Sequence, residues 1–265
     1  MLTKERILFI LEGNSSERII AYTLQKCLFS EGTFIECVFD AEIYQLYQKI
    51  KDENFAVDIV ELLRTRTPEN EKVLKQYNRD SFAYIYLFFD YDAHSSLADD
   101  EKLKKLLTFF DNETEQGKLF INYPMIEALK HFRDMDSFRS LTAKCKGRNC
   151  PNLCCEERTM CLKEPHYKTI AAQNNIPCLN NLHYDNKTWK ALIIAHLCKM
   201  NDLVVDEFSL PDTIHSQSAV FEKQLEKYVL QECPIVAVLS AFPMFVLDFF
   251  GCKKTKEKLI AIDSN

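Results

Sequence analysis

The chain opens on a continuous apolar run, Arg6-Ile-Leu-Phe-Ile-Leu11, followed at once by the polar turn Glu12-Gly-Asn-Ser-Ser-Glu17. An uninterrupted apolar run of this length predicts a strand covered on both faces, as in a parallel sheet. Beyond the turn, Ile19, Ile20, Leu24, Cys27 and Leu28 recur at helical spacing. Ser15 or Ser16 can cap that helix, and Glu17 sits in its first turn. Residues 33–39 predict a second strand, and 43–50 and 56–63 predict helices. The stretch 65–79 is polar, carries Pro68 and begins as a loop. The strongest strand pattern is Phe82-Ala-Tyr-Ile-Tyr-Leu-Phe-Phe89, which ends in Asp90-Tyr-Asp92. After a polar loop come a helix over 101–110, a short strand over 118–122 and a helix opening over 125–132.

Strands alternating with helices predict an α/β fold with a mostly parallel sheet flanked by helices. The character changes after about Asp136. A cysteine-bearing loop comes first, and then helical patterns over 167–174, 188–200, 218–230 and 236–250 make a mainly helical C-terminal part. The expected division is residues 1–136 and 137–265, with the boundary within 136–141. Residues 234–247 are almost wholly apolar, but the run is too short to span a bilayer and contains Pro243. A buried helix or strand–helix segment with a kink or turn at Pro243 is expected there, with no membrane contact. Trp189 and His196, on the 188–200 helix, are expected to pack in the C-terminal core.

With 47% hydrophobic residues, 265 residues can bury a sizeable core, and only 5 glycines and 8 prolines favour regular structure. The net charge of −6 is unlike that of a basic nucleic-acid-binding domain. A local basic patch can still serve, and carboxylates around a metal count towards the negative total. The apolar run 7–11 is too short for a signal peptide and is followed by Glu12. A cytoplasmic location is expected, so the 11 cysteines read as free thiols or metal ligands before disulfides.

Acidic groups follow the two best strands: Glu12 after the first, Asp90 and Asp92 after the aromatic one. Ligands of open parallel sheets bind at this edge. Alternation along an extended segment sends Asp90 and Asp92 to one side. Mg2+ takes hard oxygen ligands and keeps waters, so one to three carboxylates at a strand edge suit it. Acidic residues after strands are also ordinary turn formers, and Asp-x-Asp alone is a weak motif.

The order of these elements resembles the Toprim domain, the metal-binding fold of topoisomerases, primases and several nucleases. The resemblance rests on Leu8-Phe-Ile-Leu-Glu12-Gly-Asn-Ser-Ser-Glu17, Phe88-Phe-Asp90-Tyr-Asp92 and Asn122-Tyr-Pro-Met-Ile-Glu127, and covers about the first 135 residues. The pattern is similar to Toprim nucleases of the OLD and RloB type and to the Toprim effector of PARIS phage defence, although Asn14-Ser15-Ser16 holds one residue more than the usual first motif. The resemblance implies Glu12 as general acid or base, counted also within the metal-binding set, and Asp90 and Asp92 as the catalytic Mg2+ (or Mn2+) ligands. Glu17 and Glu127 would be supporting ligands, for a second ion if one binds. His94, just beyond Asp92, would contact phosphate or be a solvated loop residue. No Walker A motif is present, so an ATPase would be a separate partner chain.

Cys145, Cys150, Cys154, Cys155 and Cys161 crowd one short stretch. Four thiolates suit a tetrahedral, structural Zn2+, with His166 as an alternate ligand. The spacing is not the usual Cys-x2-Cys pair, and a loop of reactive thiols remains the other reading. Lys144, Lys146, Arg148 and Arg158 around them make either a nucleic-acid contact or a solvated charged loop. Lys253, Lys254, Lys256 and Lys258 form a basic tail open to the same two readings.

Two functions are expected to compete. One is a Mg2+-dependent nuclease cutting RNA (tRNA included) or DNA, a toxic effector of bacterial anti-phage defence restrained by a partner protein. The other is a non-catalytic module using the same fold to recognise a protein or nucleotide.

Overall fold

A computed structural model of the chain describes residues 5–29, 33–93, 95–145, 166–173, 177–231 and 234–262. Its centre is a five-stranded sheet. The strands are β1 (Arg6–Leu11), β2 (Thr33–Val38), β3 (Tyr84–Asp90), β4 (Asp111–Asn112) and β5 (Gly117–Asn122), in the order β2-β1-β3-β5-β4. The first four in that order are parallel, and β4 runs antiparallel to β5. Every residue of β1 after Arg6, and of β3 after Tyr84, is buried. That is why these strands read as continuous apolar runs.

Helices α1 (Ser16–Leu28), α2 (Ile43–Asp52), α3 (Ile59–Arg64), α4 (Pro68–Leu74) and α5 (Asp100–Phe109) belong to the first half. α4 lies in the stretch expected to begin as a loop. Thr67 accepts a hydrogen bond from the Asn70 N–H, and Pro68 stands in the first turn, where its missing donor costs nothing. Two expected helices are shorter: 56–63 is helical only from Ile59, after the Asp58 cap, and 125–132 only as a 3-10 turn over Ile126–Leu129.

The second half supplies α6 (Met135–Arg139), β6 (Thr142–Lys144), α7 (Tyr167–Ala172), α8 (Asn186–Val205), α9 (Gln217–Gln224), β7 (Ile235–Ala237) and α10 (Ala241–Ala261). A π-helical turn, Leu225–Val229, extends α9. β6 and β7 pair antiparallel, a small sheet that the sequence pattern did not predict. The apolar segment 234–247 is thus strand then helix.

Pro243 lies in the first turn of α10 and bends nothing; the break comes at Gly251, whose φ of 74° is open to glycine. α10 seals one face of the main sheet. Phe245 meets the rings of Phe9, Tyr86, Phe88 and Phe120, and Phe242 stacks on Phe88 with centroids 4.5 Å apart. Phe9, Tyr86, Phe88 and Phe120 fall on this face by the two-residue period of a strand. Phe89 points the other way, to Phe39. The packing therefore crosses the 136 division.

Trp189 is fully buried on α8 and donates its indole N–H to Thr23 of α1 at 3.2 Å. Among the described residues no helix is long and apolar enough to cross a membrane.

Candidate functional site

The parallel register builds an acidic edge at the carboxyl ends of β1, β3 and β5. Leu11 pairs with Phe88, and the Glu12 N–H donates to the Phe88 carbonyl, so Glu12 leaves the sheet beside Asp90. Glu12 Oε2 accepts the Asp90 backbone N–H at 2.7 Å. Asp90 is itself the register partner of Asn122, whose side-chain amide donates to Asp90 Oδ1 at 2.9 Å.

Asn122 has a second role: its Oδ1 accepts from the Ala241 N–H at 2.8 Å and from the Ser240 hydroxyl at 3.2 Å. The Ser240 N–H in turn donates to His196 Nδ1 at 3.0 Å. A buried polar chain thus connects His196 on α8 and the start of α10 to the Asp90 carboxylate. His196 is the expected core histidine, satisfied at Nδ1 while its buried Nε2 has no hydrogen-bond partner. Burial holds its pKa down at about 3, so it stays neutral.

Asp90 and Asp92 do not come together by strand alternation. Regular strand ends at Asp90, and Asp92 has a left-handed φ of 43°. The turn is held by the Asp92 N–H on the Pro124 carbonyl and by the Tyr44 hydroxyl on the Tyr91 carbonyl. Glu12, Asp90 and Asp92 are nonetheless electrostatic neighbours. Burial, then Asp92, then Glu17 and Glu42 push the Glu12 carboxyl well above its ordinary range, against the Asp90 N–H. Burial, then Glu12, Asp92 and Glu17 push Asp90 the same way, against the Asn122 amide.

Glu17 and Glu127 form the other flank. Glu17, in the first turn of α1, is raised by burial and by Glu127, and lowered by Lys168 and by backbone N–H groups that include Gly13. A Cβ on Gly13 would stand 3.0 Å from a Glu17 carboxylate oxygen, so glycine leaves the space that carboxylate occupies. Glu127 is 2% exposed; its Oε1 has no hydrogen bond and faces Lys168 Nζ at 3.3 Å, off hydrogen-bond geometry.

The five expected carboxylates thus gather at one edge, though not as a closed ligand shell. Among the described residues no three His, Cys, Asp or Glu side chains form a ready-made metal cage. Mg2+ needs no such cage, because it binds through one or two carboxylates and keeps its waters. Hard oxygens, mutual repulsion and the unbonded Glu127 oxygen fit such an ion. Asp90 and Asp92 would hold it, with Glu17 and Glu127 in support.

Of the cysteine cluster only Cys145 is among the described residues, buried just beyond β6. Cys150, Cys154, Cys155 and Cys161 lie outside them, as do Lys146, Arg148, Arg158 and His94. Lys144 is exposed at the end of β6, and His166 is exposed just before α7. In the basic tail Lys258 donates to the Leu28 carbonyl and Lys256 to Asp212, so half of it braces the protein.

Sequence reasoning did not single out Glu42, Tyr167 or Lys168. It met Asn122 only as part of a strand-end motif, and that motif was its available signal. Compared with known protein families, curated proteins and solved structures, the chain matches none.

Proposed function

We propose that this chain is a Mg2+-dependent Toprim-type nuclease that cuts phosphodiester bonds of RNA or DNA. The observation that carries the reading is the convergence of Glu12, Asp90 and Asp92 from two adjacent parallel strands onto one partly buried edge. Bound there, the cation would activate water or stabilise the leaving oxygen of a phosphodiester.

The protein residues have separable tasks. Asn122 orients Asp90 through its amide. The Asp90 N–H fixes one oxygen of Glu12, which leaves Oε1 as the oxygen that can exchange a proton. A carboxyl raised well above its usual range holds its proton more tightly than a free carboxylate and can hand it to, or recover it from, a reacting oxygen. Buried apolar strands behind the edge limit water access.

By analogy with the resembling nucleases, the chain would be a toxic effector of bacterial anti-phage defence, restrained by a separate ATPase or regulatory protein. Sequencing of RNA and DNA ends from cells expressing the chain beside its Glu12→Ala form tests both parts. New ends that depend on Glu12 are expected, and their absence would sink the nuclease reading. One observation favours the second reading, a non-catalytic binding module: Lys168 already supplies Glu127 with a protein cation.

A further inference from the structure

Beside the acidic edge, on the side of Glu127, the protein forms a partly open cavity of about 410 Å³. It shares its wall with the site. Ala93 follows Asp92, Pro124 and Met125 precede Glu127, and Lys168 reaches from the cavity to Glu127 at 3.3 Å. Tyr167, also on the wall, stands close enough for its hydroxyl to be held protonated, by burial first and then by the charges of Glu127 and Asp90.

The lining combines two chemistries. Ala93, Pro124 and Met125 are apolar, and the rings of Tyr167 and His131 stand beside them with centroids 5.5 Å apart. The Tyr167 hydroxyl and His131 Nδ1 are 3.2 Å apart and hold each other in place. Lys168, whose side chain is 69% exposed while its Nζ faces Glu127 at 3.3 Å, and the exposed Lys144 bring positive charge to the rim. An inorganic anion would use the lysines and leave the apolar walls and rings without a role. An uncharged apolar ligand would gain nothing from the cation. A flat aromatic group joined to a phosphate uses both. The volume lies at the lower end for ligand sites and has room for one nucleotide, far from enough for a base pair with its backbones.

We propose that this cavity takes one unpaired nucleotide of the substrate strand, next to the phosphodiester at the carboxylates. The chain would then act on single-stranded or locally opened nucleic acid in preference to intact duplex. The inference rests on the nuclease reading. A base inside a duplex is stacked on both faces and reaches such a cavity only if it is unpaired or extruded. The walls read the flat base, and Lys168 accompanies the backbone, so the cavity selects strandedness more than sequence.

The test uses the full chain carrying Glu12→Gln, with Mg2+, and three fluorescent probes of one sequence: a single-stranded oligoribonucleotide, the matching oligodeoxyribonucleotide and the DNA duplex. Anisotropy titrations should show tighter binding of a single strand than of the duplex, and the two strands distinguish ribose from deoxyribose. Tyr167→Ala and, independently, the cavity-filling Ile170→Trp should each weaken single-strand binding by about tenfold or more. Ile170→Trp should melt close to the parent, and Tyr167→Ala, which loses the His131 bond, should melt lower but still in one cooperative transition. Thio-base cross-links should map to residues 123–131 and 166–170.

Equal affinity for duplex and strand, unchanged binding in both variants, no strand binding at all, or cross-links elsewhere would overturn the proposal. Failure of the underlying reading looks different. A chain with Glu12 intact that binds and cross-links through the cavity but cuts no strand would remove the nuclease and leave the cavity standing. Wild-type cleavage of duplex by both cavity variants would do the reverse.

Discussion

Glu12 Oε2 accepts the backbone N–H of Asp90 over 2.7 Å, so the carboxylate implied as the proton-transfer group is fastened to the strand end that would hold the metal. Glutamine can accept the same bond and keep the same shape, but it cannot ionise. Glu12→Gln should therefore retain Mg2+ and nucleic-acid binding and lose cleavage by roughly two orders of magnitude or more. Single-turnover cleavage with matched Mg2+ titrations measures both on one preparation. Near wild-type cleavage would make Glu12 a bystander, and loss of metal binding with cleavage would make it a ligand.

The raised carboxyl groups of Asp90 and Glu12 give the metal-free protein a definite pH dependence. The native state keeps protons that the unfolded chain releases above the ordinary carboxylate pKa of about 4. Stability tied to those protons is complete below that value and is lost as pH rises through the raised values. Melting temperature in chelator should thus fall as pH climbs towards neutrality, and Mg2+ should restore it most at the high end. Asp90→Asn should flatten the profile and raise neutral-pH melting in chelator, on a scale of about 2–4 °C per kcal/mol. It should also abolish the Mg2+ response. A wild-type profile indifferent to pH and Mg2+ would argue against a charged, metal-binding edge.

Asn122 joins Asp90 to the first turn of α10. Asn122→Ala would strip the bond partner from Asp90 Oδ1, the Ala241 N–H and the Ser240 hydroxyl, all in buried surroundings. Each unsatisfied buried group costs about 1–3 kcal/mol, so a loss of several kcal/mol is expected in urea unfolding. A change under about 1 kcal/mol would mean water replaces the amide and the linkage is loose.

A Cβ at Gly13 meets the far end of a flexible side chain, the Glu17 carboxylate, at 3.0 Å. Gly13→Ala should fold normally, because that carboxylate can move by a few tenths of an ångström, yet cleavage should fall with Glu17 displaced. Circular dichroism and cleavage rates on the same sample check this. A folded variant with unchanged rate would remove Glu17 from the working site.

If the cysteine cluster is a structural site, protein purified without chelator should carry about one Zn2+ per chain. Elemental analysis decides it. A folded, zinc-free preparation would leave Cys145 as a plain buried thiol.

The apolar runs at 7–11 and 82–89 determined by themselves that the centre would be a sheet covered on both faces, because only such strands need no polar side. The punctuation of those runs by Glu12 and by Asp90-Tyr-Asp92 likewise marked the acidic edge, since a turn directly after a buried strand is where a side chain can reach a ligand. Elements of long, regular period survived translation into structure, and so did the short strand over 118–122. The second sheet was not legible: β6 and β7 are three residues each and exist because they pair with each other across nearly a hundred residues of chain. No local pattern carries a partner that remote. The same holds within the site. Asp92 faces its neighbours through a left-handed backbone, not through strand alternation, and only the turn's contacts with Pro124 and Tyr44 define it. Asn122 could be read as a strand end, and its bond to Asp90 follows from the β3–β5 register, but its bonds to Ser240 and Ala241 come from α10 folding back over the sheet. Tyr167 and Lys168 open a short helix of mixed composition until packing places them against Glu127, a charge relationship that depends on distance in space alone.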